Sequence, residues 1–281
     1  MKHTKTPYRL VLRFYGLRVL VVSLIWFIYD FSAYSFSIYS STILASLLRT
    51  SDPSPSPPLT TIFGWNTVLN LFYIPGSLLG APLSDLLGPR IALAGGALLQ
   101  AATGFAISAR YADLAAPGRI AVFAIAYGIF LSLGELGPGN NIGLVASMSF
   151  ATGVRGQCYG VASAMGKVGA FVGTLAFPYI AAAGKRNGNS VGAAQYPFWV
   201  ASGMCVLAAG FVLVGLPARI GKDTVEMEDE RFRAFLEENG FDTRKMGSRK
   251  GRKERFRQGI EIWLESLPRN RTEGGSTAKE E

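Results

Sequence analysis

Six stretches of the chain are long and continuously apolar, and this limits the fold more than any other feature. They cover residues 19–47, 67–86, 91–108, 120–147, 159–183 and 198–216. A hydrocarbon core of ~30 Å needs about 20 apolar residues per helical span, and each stretch approaches or exceeds that. None alternates apolar with polar residues as a transmembrane β-strand does, which excludes a barrel. Pro and Gly within them are compatible with spanning helices whose neighbours re-satisfy the freed backbone groups. The expected fold is an all-α polytopic membrane protein with six transmembrane helices in residues 19–216. A cytoplasmic leader covers residues 1–18 and a charged cytoplasmic tail covers 217–281. A content of 49% hydrophobic residues and 33 glycines fits a membrane domain better than a soluble one.

The net charge of +9 does not indicate nucleic-acid binding, because the positive residues flank the spans. Lys2, Lys5, Arg9, Arg13 and Arg18 precede the first, and a Lys/Arg-rich tail follows the last. By the positive-inside rule both termini are cytoplasmic, as an even number of spans permits. The loop over 50–63 is rich in Pro, Ser and Thr and lacks Lys and Arg, so it reads as extracytoplasmic. Arg90 and Arg155 fall in cytoplasmic loops, whereas Lys185 and Arg186 fall in a loop this topology places outside. His3 is the only histidine, and Cys158 and Cys205 lie at or within spans. These residues offer no metal site, no catalytic dyad and no cofactor site, so no enzyme activity is expected. The cysteines read as small packing residues rather than a disulfide.

Charges within the spans carry the functional signal. Trp26, Asp30 and Tyr34 are spaced i, i+4, i+8 and so share one helical face. An ionised Asp at the bilayer centre costs about 2.5–3.5 kcal/mol on insertion scales, so it requires a partner or a watery pathway. Lys167, mid-way along the fifth span, is the opposite charge. Around it Gly160, Ser163, Gly166, Gly169, Ala170 and Gly173 form a surface on which a neighbouring helix can pack closely. Glu135 opens the string Gly134-Glu-Leu-Gly-Pro-Gly-Asn-Asn141, where Pro138 predicts a kink or a broken helix. Two readings of that string stand side by side. It is a ligand site of the kind discontinuous helices supply, or a packing kink whose Asn140 and Asn141 bond to neighbouring helices. Glu135 itself has a role in transport, or pairs with Lys167 or a backbone donor.

Between the second and third spans lies Gly80-Ala-Pro-Leu-Ser-Asp85-Leu-Leu-Gly88-Pro-Arg90. Its glycines permit a tight turn, and Asp85 can cap the next helix or pair with a basic residue. This constellation resembles the major facilitator superfamily, in which short cytoplasmic loops carry such a motif. Asp30 with Tyr34, the 135–141 string and Ala164-Met-Gly-Lys167-Val-Gly-Ala170 resemble the phosphate:proton symporter family. Gly134 to Asn141, followed by Val154-Arg-Gly-Gln157, is most similar to the fungal glycerophosphodiester (glycerophosphoinositol) permeases.

The resemblance implies that the six spans correspond to helices seven to twelve of a twelve-helix transporter, without an N-terminal half. It implies a substrate site at Trp26, Tyr34, Asn140 and Lys167, proton coupling through Asp30 and Glu135, and a conformational motif at Gly80, Asp85, Gly88 and Arg90. At the position of the Asn that binds phosphate in those relatives, this chain has Gly139, with Asn140 beside it, which fits a bulkier substrate than inorganic phosphate. The expected partners are a phosphate-containing small molecule, protons and the lipid bilayer, with a separate N-terminal half or a second copy as the opposing wall. The expected location is the plasma membrane. A truncated non-transporting product and a nutrient-sensing subunit are the alternatives, with inorganic phosphate as the alternative substrate.

In the tail, Phe232, Phe235 and Leu236 at helical spacing before Gly240 predict a short helix over 228–239. The basic cluster at 249–257, followed by Ile260, Trp263, Leu264 and Leu267, suits an anionic membrane surface or a solvated tail. Residues 272–281 are expected to be disordered.

Overall fold

The structure is a computed structural model that describes residues 7–51, 58–185, 192–218, 220 and 222–243. His3, Arg186, the basic cluster at 249–257, the apolar positions after it and the segment 272–281 lie outside the described residues. Thr6–Phe235 form one compact unit, and Leu236–Glu281 with Met1–Lys5 form another. Among the described residues the regular structure is entirely helical.

Helix α1 runs over Tyr8–Ser51, 44 residues. At 1.5 Å per residue it is about 66 Å long, roughly twice a bilayer core. It therefore begins inside the segment assigned to the leader and is longer than one crossing requires. The second span, expected as one stretch over 67–86, is divided into α2 (Leu59–Leu71) and α3 (Tyr73–Leu87). Phe72 forms the junction, and its amide turns back to Leu69 O at 3.1 Å. Pro75 accounts for the break, since it cannot donate to Leu71 O and its ring crowds that carbonyl. Helix α4 (Pro89–Ala109) and the single turn α5 (Tyr111–Leu114) follow.

The fourth span is α6 (Ile120–Gly134), a π-helical turn at Glu135–Gly139, and α7 (Asn140–Met148). The kink expected at Pro138 is thus a widened turn within a continuous helix, not an unwound break. The Asn140 amide reaches back five residues to Glu135 O, a register that accommodates the missing donor of Pro138. Helices α8 (Arg155–Lys185), α9 (Gly192–Gly215) and α10 (Lys222–Glu238) complete the chain. Five apolar helices are individually long enough to cross a membrane: Tyr8–Leu48, Pro89–Ala109, Ile120–Met148, Arg155–Gly184 and Gln195–Gly215. The remaining expected span corresponds to the α2–α3 pair, whose members have 13 and 15 residues.

Helix α1 lies along α8, α4 lies along α9, and α8 and α9 pack on each other. The glycines of α8 allow the first of these contacts. A Cβ at Gly169 would run into the Phe27 carbonyl, and one at Gly173 into the Phe31 carbonyl. Contact of this kind holds helices together in lipid, where no hydrophobic drive brings them together. At one end of the bundle Phe36, Tyr127, Phe130, Phe177 and Phe198 form an aromatic core. Phe36 and Phe198 have ring centroids 4.7 Å apart, and the Tyr127 hydroxyl donates to Phe36 O at 3.2 Å. Cys158 and Cys205 are buried and unpaired with each other.

Candidate functional site

An open cavity of about 600 Å³ lies between α1, α3, the π turn, α7 and α8. Helix α1 supplies two adjacent stripes to its wall. Trp26, Asp30 and Tyr34 form one, and Tyr29, Ala33 and Ser37, three residues on, form the other. The spacing is four residues within each stripe, so both follow from helical periodicity.

The first stripe meets α8. Lys167 Nζ lies 3.3 Å from Asp30 Oδ2 and donates to the Tyr34 hydroxyl at 2.5 Å. It also sits over the Tyr34 ring, 4.2 Å from the centroid, within range of a cation–π contact. The pair is asymmetric: the Asp30 side chain is 4% exposed and that of Lys167 is 62% exposed. A buried acid is therefore held by a base that stays available to a ligand. Lys167 is not itself part of the cavity wall, but both of its partners are. Trp26 lines the cavity with its ring edge-on to Tyr159, centroids 5.2 Å apart at 88°. Gly166 leaves room for it, since a Cβ there would strike the indole and come within 2.9 Å of Asp30 Oδ2.

The second stripe meets the π turn. The Tyr29 hydroxyl donates to Glu135 Oε1 at 3.3 Å. Glu135 is thus partnered by a phenol and not by Lys167. Tyr73 and Ser77 of α3, and Gly139, Ile142 and Gly143, complete this side. Tyr29, Tyr73, Ser77 and Tyr159 were not singled out from the sequence. For Tyr29 the signal was present as the Tyr29–Ala33–Ser37 repeat beside the charged stripe.

Asn140 is placed differently from the sequence expectation. Its Nδ2 donates to Ser77 O at 3.0 Å and Gly76 O at 3.5 Å, so it braces α3 and does not line the cavity. Neighbouring Asn141 is fully buried, donates to Gly137 O at 2.8 Å and accepts from Ser84 Oγ at 2.5 Å. For both side chains, bonding to helix backbone and neighbouring helices is the arrangement observed.

The loop motif is only partly brought together. Gly80 packs against Asn140 and Leu136 O, where a Cβ would not fit. Gly88 has φ +83°, a conformation that separates α3 from α4 and favours glycine. Arg90 donates from Nε to Val212 O at 3.3 Å and from Nη2 to Leu213 O at 2.5 Å, capping α9. Asp85 is exposed on α3 and neither caps α4 nor pairs with a base among the described residues. The reason is positional: Gly88 is the residue before α4, and Arg90 is committed to the α9 carbonyls.

A polar cluster closes one end of the bundle. Glu228 of α10 pairs with Arg18 at 3.0 Å and accepts from the Tyr15 hydroxyl at 3.1 Å. Arg18 also donates to Ser149 O at 2.8 Å. Asp229 accepts from the amide and hydroxyl of Thr152 at 2.5 and 2.8 Å. Phe14 packs on Phe232 and Phe235 beside these bonds. No group of three or more His, Cys, Asp or Glu suited to a metal occurs among the described residues.

Long apolar helices around a charged, open mid-span cavity define a polytopic helical membrane protein. Residues 1–230 match the family described as "Sugar (and other) transporter", and the chain belongs to that family. That family is one of transporters rather than enzymes. Similar proteins from Candida albicans include glycerophosphodiester transporter GIT2, 44% identical over 247 residues, which cover 88% of this chain and 45% of the relative. The major glycerophosphoinositol permease GIT3 is 42% identical over 88% of this chain and 44% of its own length. Glycerophosphocholine permease GIT4 is 44% identical over 88% and 44%. The chain spans about half the length of the curated relatives it matches.

Proposed function

We propose that this chain forms one half of the translocation pathway of a proton-coupled glycerophosphodiester permease of the plasma membrane. Transport in this fold relies on two halves rocking about a midplane site. The opposing wall must come from a second six-helix unit, whether preceding sequence, a separate half or another copy of this chain. Lys167 is the phosphate-binding cation, with Tyr34 and Trp26 as its aromatic and hydrogen-bonding companions. Asp30 is the proton-linked group. When it is ionised it occupies the ammonium, and when it carries a proton it releases Lys167 to the substrate anion. Glu135 is the second acid on which coupling depends, and Gly80, Gly88 and Arg90 fix the α3–α4 turn on which the rocking bears. Basic residues and α10 gather at one end of the bundle, which supports a cytoplasmic location for that end.

The observation that carries the reading is the ammonium of Lys167 shared between a buried carboxylate and a phenol at an open cavity. The test is uptake of labelled glycerophosphoinositol into proteoliposomes containing this chain with its opposing half, under an imposed proton gradient. Wild-type uptake should follow the gradient, and Asp30→Asn should retain exchange but lose accumulation. Gradient-driven accumulation by Asp30→Asn would refute the coupling role.

A further inference from the structure

The second carboxylate of the cavity remains to be explained. An ionised acid on the wall of an anion-binding cavity repels the ligand unless donors offset it. Glu135 has no cation partner among the described residues, and the single hydrogen bond to its carboxylate there comes from the phenol of Tyr29 on Oε1. Oε2 accepts no hydrogen bond from the described residues. The carboxylate fills the room that a side chain at position 139 would take, since a Cβ on Gly139 would strike Oε2 and lie 2.9 Å from the Tyr29 hydroxyl. Gly139 therefore allows Glu135 and Tyr29 to meet on the cavity wall. Lys167 of α8, held by Asp30 and Tyr34 of the other α1 stripe, lies beside the cavity, so a cation flanks one side and an acceptor stands on the wall.

We propose that the Glu135–Tyr29 pole is a hydroxyl-binding subsite that accepts hydrogen bonds from a vicinal diol while Lys167 holds the phosphate of the same molecule. The proposal rests on reading the cavity as a phosphate-ester site. Adjacent hydroxyls of a glyceryl group can each donate to one carboxylate, and bonds to an ionised acceptor are the stronger class. Tyr29 orients the carboxylate, leaving Oε2 to the ligand. The recognised unit is the glyceryl phosphate end, so the group on the far side of the phosphodiester is left free to vary.

The test uses the 281-residue chain assembled with its opposing six-helix half in lipid nanodiscs. Equilibrium binding of radiolabelled methyl glyceryl phosphate is compared with that of methyl propyl phosphate, which lacks the diol. The wild-type protein should prefer the diol ester by about tenfold or more, the scale of a hydrogen bond to a charged group. Glu135→Gln should abolish that preference and leave the affinity for methyl propyl phosphate at least as high. Tyr29→Phe, which keeps the ring and its packing, should also reduce the preference. An unchanged preference in both variants would overturn this proposal alone. Binding of neither ester by the wild-type protein would overturn the phosphate-ester reading, and this proposal with it.

Discussion

Removing Lys167 should harm the fold more than neutralising its partner, although Lys167 is the exposed member of the pair. In Lys167→Met, Asp30 keeps its 4% exposure and loses its only cation among the described residues. Stranding one member of a buried pair costs about 3–5 kcal/mol. Because the Lys167 side chain is 62% exposed, water already screens much of the attraction, which reduces the expected loss to about 1–2 kcal/mol. In Asp30→Asn the ammonium keeps the Tyr34 hydroxyl at 2.5 Å, the ring at 4.2 Å and its access to water. The cost there should stay below about 1 kcal/mol. The double variant should be more stable than Lys167→Met alone, because no buried charge remains uncompensated. Thermal unfolding of the four proteins in detergent measures the cycle. If Asp30→Asn is at least as destabilising as Lys167→Met, or if the double variant shows no recovery, the argument from asymmetric burial is wrong.

Other substitutions separate packing from function. Gly169→Leu forces α8 away from the Phe27 carbonyl and should cost about 1–3 kcal/mol, read as lower thermal stability in detergent. Arg90→Ala loses both bonds to the end of α9 and should cost about 1–2 kcal/mol, whereas Asp85→Asn should change stability by less than about 0.5 kcal/mol; parallel unfolding curves test the contrast. Glu228→Ala removes the partner of Arg18 and Tyr15 and should speed proteolysis at residues 222–235 and raise their hydrogen exchange, with rates near residue 36 unchanged.

Much of the architecture was legible in the sequence because lipid leaves few options. Continuous apolar runs reported the spans, and every observed helix except the single turn α5 overlaps an expected stretch. The second span was the exception, and Pro75 explains why: its effect falls on the backbone three to four residues earlier, at Leu71 and Phe72. The N-terminal extension of α1 was hidden because Arg9, Arg13 and Arg18 look like a flanking leader, although a helix accommodates them while Phe14 and Tyr15 pack on α10. Pro138 marked the right place, but its outcome was a π turn because a five-residue register absorbs the missing donor. In the site, Asp30, Tyr34 and Lys167 were readable as charges and phenols that lipid would not tolerate alone. Tyr29 was not, because a tyrosine beside an aspartate looks like ordinary apolar filling until its stripe is aligned with Glu135. Asn140 was misleading for the opposite reason: an amide near a proline resembles a ligand, while here it binds the carbonyls of Gly76 and Ser77.

The central claim is that Lys167, released by Asp30, holds the phosphate of an ester in the cavity. Its most direct test is equilibrium binding of radiolabelled glycerophosphoinositol to the wild-type chain and to Lys167→Met, each assembled with the opposing half in nanodiscs. Saturable wild-type binding weakened about tenfold or more by the substitution is the predicted result. Equal affinity in the two proteins would contradict it.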